Sequence, residues 1–179
     1  DVYKRQVHIC SKVVSTGGDL HYSTNASGSW QSTTLDTTGD VGHGCSIALD
    51  SSDNIHIVYL DKTLQDFKYT TKPLASAIAY SSWSTTTIDG RNNVGTFGTM
   101  AIDTQDRLHV AYYAETEDEL RYATKASGSS TWTNTTIDTS GDAGRFASIA
   151  VDSNDKPHIA YKEDWADDLK YAHKIGSSW

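Results

Sequence analysis

Three groups of residues in this chain have the types and spacing to do chemistry. A histidine recurs at His56, His109 and His158. An imidazole can serve as general acid or base, but that role wants one residue in one environment tuned towards the working pH. Here the histidine returns at one position of a repeat, beside small residues. The favoured reading is therefore structural: a ring hydrogen-bonded to a neighbouring turn or carboxylate. The second group is acidic. Asp36-Thr37-Thr38-Gly39-Asp40 and Asp138-Thr139-Ser140-Gly141-Asp142 each set two carboxylates around a glycine. Ca²⁺ takes about six to eight oxygens, so Asp36, Asp40, Asp138 and Asp142 are candidate metal ligands. The middle copy, Asp89-Gly90-Arg91-Asn92-Asn93, loses the second acid, no copy has EF-hand spacing, and a turn needing glycine at positive φ explains the glycines equally well. The third group is Trp165, flanked by Glu163 and Asp164, with Arg145 in an adjacent connection. A flat aromatic ring beside charged partners is the equipment of sugar binding. A loop tryptophan covering a sheet edge is the plainer alternative.

The elements that must hold these residues emerge from self-comparison. Ser46-Ile47-Ala48-Leu49-Asp50 recurs as Thr99-Met100-Ala101-Ile102-Asp103 and Ser148-Ile149-Ala150-Val151-Asp152. His56-Ile57-Val58-Tyr59 recurs as His109-Val110-Ala111-Tyr112 and His158-Ile159-Ala160-Tyr161, with His8-Ile9-Cys10 upstream. Leu20-His21-Tyr22 recurs around Tyr69, Tyr122 and Tyr171, and Trp30, Trp83, Trp132 and Trp179 follow at intervals of 53, 49 and 47 residues. Four landmarks keeping step define one repeated unit. Each unit reads as four short alternating strands separated by polar turns: A around Ile47, B around Ile57, C around Tyr69 and D from Trp83 to Ile88. Ile47, Leu49, Ile55, Ile57, Tyr59, Phe67 and Tyr69 are expected to share one face. Small residues, among them Ala48, Val58 and Thr70, are expected on the other, so that neighbouring sheets interdigitate.

Four antiparallel strands repeated radially are a β-propeller blade. The expected fold is all-β: a propeller segment with residues 1–6 a non-native leader, 7–44 a partial blade holding strands B to D, 45–98 and 99–146 full blades, and 147–179 a partial blade holding A to C. A parallel β-helix is the competing reading, but its coils are shorter than about 50 residues and rarely need polar hairpin turns. Asp1 to Gln6 resemble the translation of a transposon end used in preparing DNA sequencing libraries, and Trp179 falls within a repeat, so both ends are expected to be cut. An open stack would leave apolar end faces in water, and self-association that closes the ring is an expected outcome.

Topology sorts the acids. In such a unit the B–C turn and the D-to-A connection lie at one end, and sixteen of the 23 Asp and Glu fall in or beside them. Lys72, Lys125 and Lys174 go to the opposite end. With 15 Lys and Arg the formal net charge is −8, which argues against a nucleic-acid partner. No apolar run approaches the roughly 20 residues of a membrane span. Trp30, Trp83 and Trp132 are expected to be core pieces. A Cys10–Cys45 disulfide is not expected, because Cys10 takes the place of a packing-face alanine and Cys45 begins a strand.

The unit Ser-Ile-Ala-x-Asp-Ser-x-x-x-Pro-His-Ile-Ala-Tyr…Leu-Lys-Tyr-Ala…Trp…Ile-Asp-x-x-Gly resembles a repeat of bacterial and archaeal extracellular propellers, near the neuraminidase-like (Asp-box-like) and fucose-lectin-like types. The chain departs from the true Asp-box, Ser-x-Asp-x-Gly-x-x-Trp, and its arginines past the leader, Arg91, Arg107, Arg121 and Arg145, occupy unmatched repeat positions, unlike a sialidase arginine triad. The resemblance implies a secreted or cell-surface, non-catalytic module that binds carbohydrate or a surface partner through its loop-rich face. The alternative is a fragment of a propeller polysaccharide lyase or glycosidase with its catalytic residues elsewhere.

Overall fold

The computed structural model describes residues 6–14, 17–78, 83–91, 93–176 and 178–179. Residues 1–5 of the expected leader, and Asn92 of the middle acidic loop, lie outside the described residues. Fourteen strands form four antiparallel sheets. The first holds β1 (His8–Val13), β2 (Asp19–Thr24) and β3 (Gln31–Asp36). The second holds β4 (His43–Leu49), β5 (Asn54–Asp61), β6 (Asp66–Pro73) and β7 (Ser84–Asp89). The third holds β8 (Val94–Ile102), β9 (Leu108–Ala114), β10 (Glu119–Lys125) and β11 (Thr133–Asp138), and the fourth β12 (Ala143–Val151), β13 (Pro157–Glu163) and β14 (Asp168–His173). Among the described residues there is no α-helix, and a 3₁₀ turn spans Leu74–Ser76. The antiparallel ladders exclude the parallel β-helix. Each sheet runs in chain order, so strands B to D make the first sheet and A to C the fourth.

The turns explain why the chain reverses where it does. After strand A, Asp50 Oδ1 accepts the amides of Ser52 at 3.0 Å and Asn54 at 2.7 Å. Asp103 and Asp152 repeat the arrangement with Gln105, Arg107, Asn154 and Lys156. The residue closing each of these turns, Asp53, Asp106 or Asp155, sits at φ between 57° and 60°, a left-handed region that Asp tolerates better than most residues.

The register corrects the expected division of faces. The hairpin closed by Asp61 and Asp66 pairs Val58 with Tyr69 and Ile57 with Thr70. Directly paired residues share a face, so Phe67 and Tyr69 lie with Ala48 and Val58, opposite Ile57 and Tyr59. Side-chain size alone had suggested otherwise; the turn decides it. Each sheet thus offers the large residues of strand C to the next sheet and those of strand B to the previous one. Leu20 and Tyr22 pack on Ile57 and Tyr59, Phe67 and Tyr69 on Val110 and Tyr112, and Leu120 and Tyr122 on Ile159 and Tyr161. Each such buried side chain contributes about 1.5–3 kcal/mol. The A strands β4, β8 and β12 also touch in succession.

A tryptophan caps each tyrosine across the same interfaces. Trp83 lies on Tyr22, Trp132 on Tyr69 and Trp179 on Tyr122, with ring centroids 5.5, 5.3 and 4.7 Å apart. Among the described residues no sheet lies on the outer side of the first, and Trp30 is 59% exposed, contrary to its expected core place. At the other end of the stack Tyr171 and Leu169 are exposed.

The two cysteines also depart from expectation: Cys10 and Cys45 form a disulfide, with Cα atoms 6.1 Å apart. The repeat gives the reason. In the third and fourth sheets the matching residues, Ala111 on strand B and Ala147 on the next strand A, are buried in one cluster. A packing-face small residue therefore faces the small residue that begins the neighbouring A strand, close enough for two sulfurs to join.

Candidate functional site

The recurring histidines are held from both sides. His109 Nε2 lies 3.0 Å from Asp103 Oδ2, and Nδ1 lies 2.5 Å from the Tyr122 hydroxyl. His56 repeats this with Asp50 at 3.2 Å and Tyr69 at 2.6 Å, while His158 bonds Tyr171 and lies 3.4 Å from Asp152, too loosely for a hydrogen bond. The carboxylate can only accept, so Nε2 carries the hydrogen and Nδ1 accepts from the tyrosine. Burial lowers the pKa of His56 and His109 below the ordinary 6.5, with the carboxylate pulling weakly the other way. Burial likewise pushes Tyr69 up to about 12. The same Asp that shapes the A–B turn thus anchors the ring, a structural set as the recurrence implied.

The acidic loops form a second recurring device. Asp36, Asp89 and Asp138 end strand D, and each accepts a tyrosine hydroxyl from the following sheet: Tyr59 at 2.8 Å, Tyr112 at 2.9 Å and Tyr161 at 2.8 Å. A cation from that sheet joins two of them at 3.2 Å, Arg121 on Asp89 and Lys170 on Asp138. Burial pushes Asp138 up, but hydrogen bonds from Ser140, Tyr161 and Lys170 outweigh it and hold the carboxyl at about 2. The second acid of each loop turns to different partners: Asp40 to Lys12 at 2.5 Å and His43 at 2.9 Å, Asp142 to Arg145 at 2.9 Å. Each of the four candidate ligands thus accepts from at least one donor of the protein itself, while Asp142 Oδ1 is buried without a hydrogen-bond partner. Among the described residues no three Asp, Glu, His or Cys side chains converge for a metal ion.

The topological sorting of loops holds. Val94 N–H bonds Gln65 O and Ala143 N–H bonds Asp118 O, joining each D-to-A connection to the B–C turn of the sheet before it. The acids gathered there are less free than their number implies, since Asp61, Asp89, Asp142 and Glu163 are all buried. At the other end Lys72, Lys125 and Lys174 lie over Trp83, Tyr69 and Tyr122.

Trp165 stands on the B–C loop of the fourth sheet and is 79% exposed. Glu163 fixes that loop: Oε1 accepts the Trp165 amide at 2.8 Å and Oε2 the Ala166 amide at 3.0 Å. Asp61 does the same for Thr63 and Leu64, so Glu163 occupies a repeated structural position. Arg145 Nε lies 3.3 Å from Asp164 Oδ2, and its guanidinium covers the Tyr113 ring at 5.0 Å. Lys162 holds Asp164 at 2.6 Å and Asp167 at 2.7 Å. The structure thus brings Arg145 and Asp164 together and presents Trp165 outward from a pinned loop.

One pair escaped the sequence reading. Phe97 and Phe146 sit at φ 56° and 52° in bulges of β8 and β12, with ring centroids 4.3 Å apart. The matching residue of β4 is Gly44, at φ 53°. The signal was a bulky residue aligned with a glycine, visible only once the bulge is placed in register.

No protein-family model and no curated protein matches this chain. Among solved structures it is similar to a protein of unknown function from Dyadobacter fermentans, with a TM-score of 0.67, 9% identity, and coverage of 94% of this chain and 48% of that one. It is similar to an ulvan lyase solved with a bound saccharide, with a TM-score of 0.60, 13% identity, and coverage of 88% and 43%. It is also similar to the NanB sialidase of Streptococcus pneumoniae, with a TM-score of 0.60, 12% identity, and coverage of 97% and 30%. The chain spans less than half the length of each. At these identities the likeness is one of fold.

Proposed function

We propose that this chain is a β-propeller segment whose loop-rich end binds carbohydrate without transforming it. The carrying observation is Trp165: a large ring exposed on a loop that Glu163 holds by two amides, beside the Arg145–Asp164 pair. A ring fixed in place offers the face of a pyranose an apolar platform at little entropic cost, and the charged pair offers its hydroxyls a donor and an acceptor. The similarity of fold to a lyase and a sialidase supports a carbohydrate ligand. The disulfide supports a secreted or surface location, because such bonds persist in oxidising compartments.

A glycan array followed by tryptophan-fluorescence titration tests this. Trp165→Ala is expected to abolish the response at the bound glycan while leaving the melting temperature unchanged, since the ring is mostly in water. Absence of binding to any polysaccharide by the intact chain sinks the reading. The rival, part of a propeller lyase or glycosidase, rests on the same likeness of fold and would instead release unsaturated or reducing ends from a bound polymer.

A further inference from the structure

At the loop-rich end the second and third sheets do not meet flush. A groove of about 320 Å³ opens between them, with His43 and Lys62 on one wall and Asn93, Thr96, Phe97 and Glu115 on the other. The neighbouring interface shows why it is open. His43 pairs with Leu60, Thr96 with Tyr113 and Arg145 with Lys162, so these are matching positions. Between the third and fourth sheets Tyr113 and Arg145 stack and fill the space. Between the second and third, Leu60 and Thr96 are too short to do so.

The groove is furnished. Glu115 Oε2 accepts from Asn93 Nδ2 at 2.5 Å and Oε1 from Thr96 Oγ1 at 2.7 Å, which sets the carboxylate while leaving each oxygen able to accept again. Phe97 keeps a bulky side chain in a left-handed conformation at the position where the second sheet has Gly44. Lys62 is exposed and has no ion pair among the described residues. His43 is already engaged with Asp40 and Lys12.

The geometry points to a binding site in this groove for one neutral pyranose unit. The sugar lays its apolar face on Phe97, two adjacent hydroxyls donate to Glu115, and Lys62 donates to a ring or hydroxyl oxygen. Charge selects the class: one carboxylate and one free ammonium already balance, so a uronate would leave one of two carboxylates unpaired. The site shares its general ligand class with the Trp165 loop but none of its residues.

The test is NMR shift mapping of the intact chain, and of Trp165→Ala, with neutral methyl pyranosides and with methyl glucuronide. A neutral pyranoside is expected to shift the amides of Asn93, Thr96 and Glu115 in both proteins. Glu115→Gln and Lys62→Ala are each expected to weaken it about tenfold. Phe97→Gly is expected to abolish binding, because it removes the ring on which the sugar rests. Preference for the glucuronide overturns the proposal, as does unchanged affinity in Lys62→Ala, a variant that breaks no ion pair among the described residues. Shifts confined to the Trp165 loop overturn the groove and leave the reading of that loop standing.

Discussion

An imidazolium at His56 or His109 would carry a hydrogen on Nδ1, the atom that now accepts from Tyr69 or Tyr122. Charging the ring therefore breaks a hydrogen bond as well as burying a charge. The folded pKa of both histidines lies below the unfolded 6.5, so the unfolded chain binds protons first as pH falls. The stabilisation is complete above about pH 6.5 and is lost progressively below it. Asp50 and Asp103, whose carboxyls are also lowered by their hydrogen bonds against the opposing effect of burial, lose theirs further down, below about 3.8. Thermal melts are expected to show a falling midpoint between pH 7 and 5, and His56→Gln with His109→Gln is expected to flatten that slope. A midpoint independent of pH over this range in the unmutated chain would contradict the arrangement. The structural role of these rings was legible from their recurrence. Their partners were not, because Asp50 and Tyr69 are brought in from neighbouring strands by register.

Between elements, the recurring Tyr-to-Asp bond sews strand B of one sheet to the end of strand D of the previous one. Tyr112→Phe keeps the ring and removes the donor to buried Asp89, which retains Arg121 and Arg91. The expected cost is about 1–2 kcal/mol, read as a lower urea midpoint with unchanged slope. Strand number, order and pairing sense could all be read from the spacing of four landmarks, because alternation and turn residues are local signals. The division of faces could not: it depends on whether the B–C hairpin pairs Val58 with Tyr69 or with Thr70, a choice made by turn geometry. The partners of the acidic loops were hidden for a related reason. Spacing placed Asp36 near Asp40 along the chain, but it could not show that Tyr59 and Lys12, contributed by other strands, each engage one of the two carboxylates.

Across the whole molecule, sheets touch chiefly their neighbours, so stability is close to a sum of sheet and interface terms. Further ties are the A–B turns, where Ser51 bonds Asp106 and Thr104 bonds Asp155. One junction is covalent. The Cys10–Cys45 bridge closes a 35-residue loop, worth about 3–4 kcal/mol in the chain-entropy account. Replacing both cysteines by serine is expected to lower unfolding free energy by about 2–4 kcal/mol in denaturant titration. The bridge also gives the stack a polarity in time. Strand β14, with Leu169 and Tyr171 in water, can peel away while the bridged pair of sheets stays shut, so its amides should exchange with deuterium sooner than those of β2; after reduction the lag between the two ends should shrink.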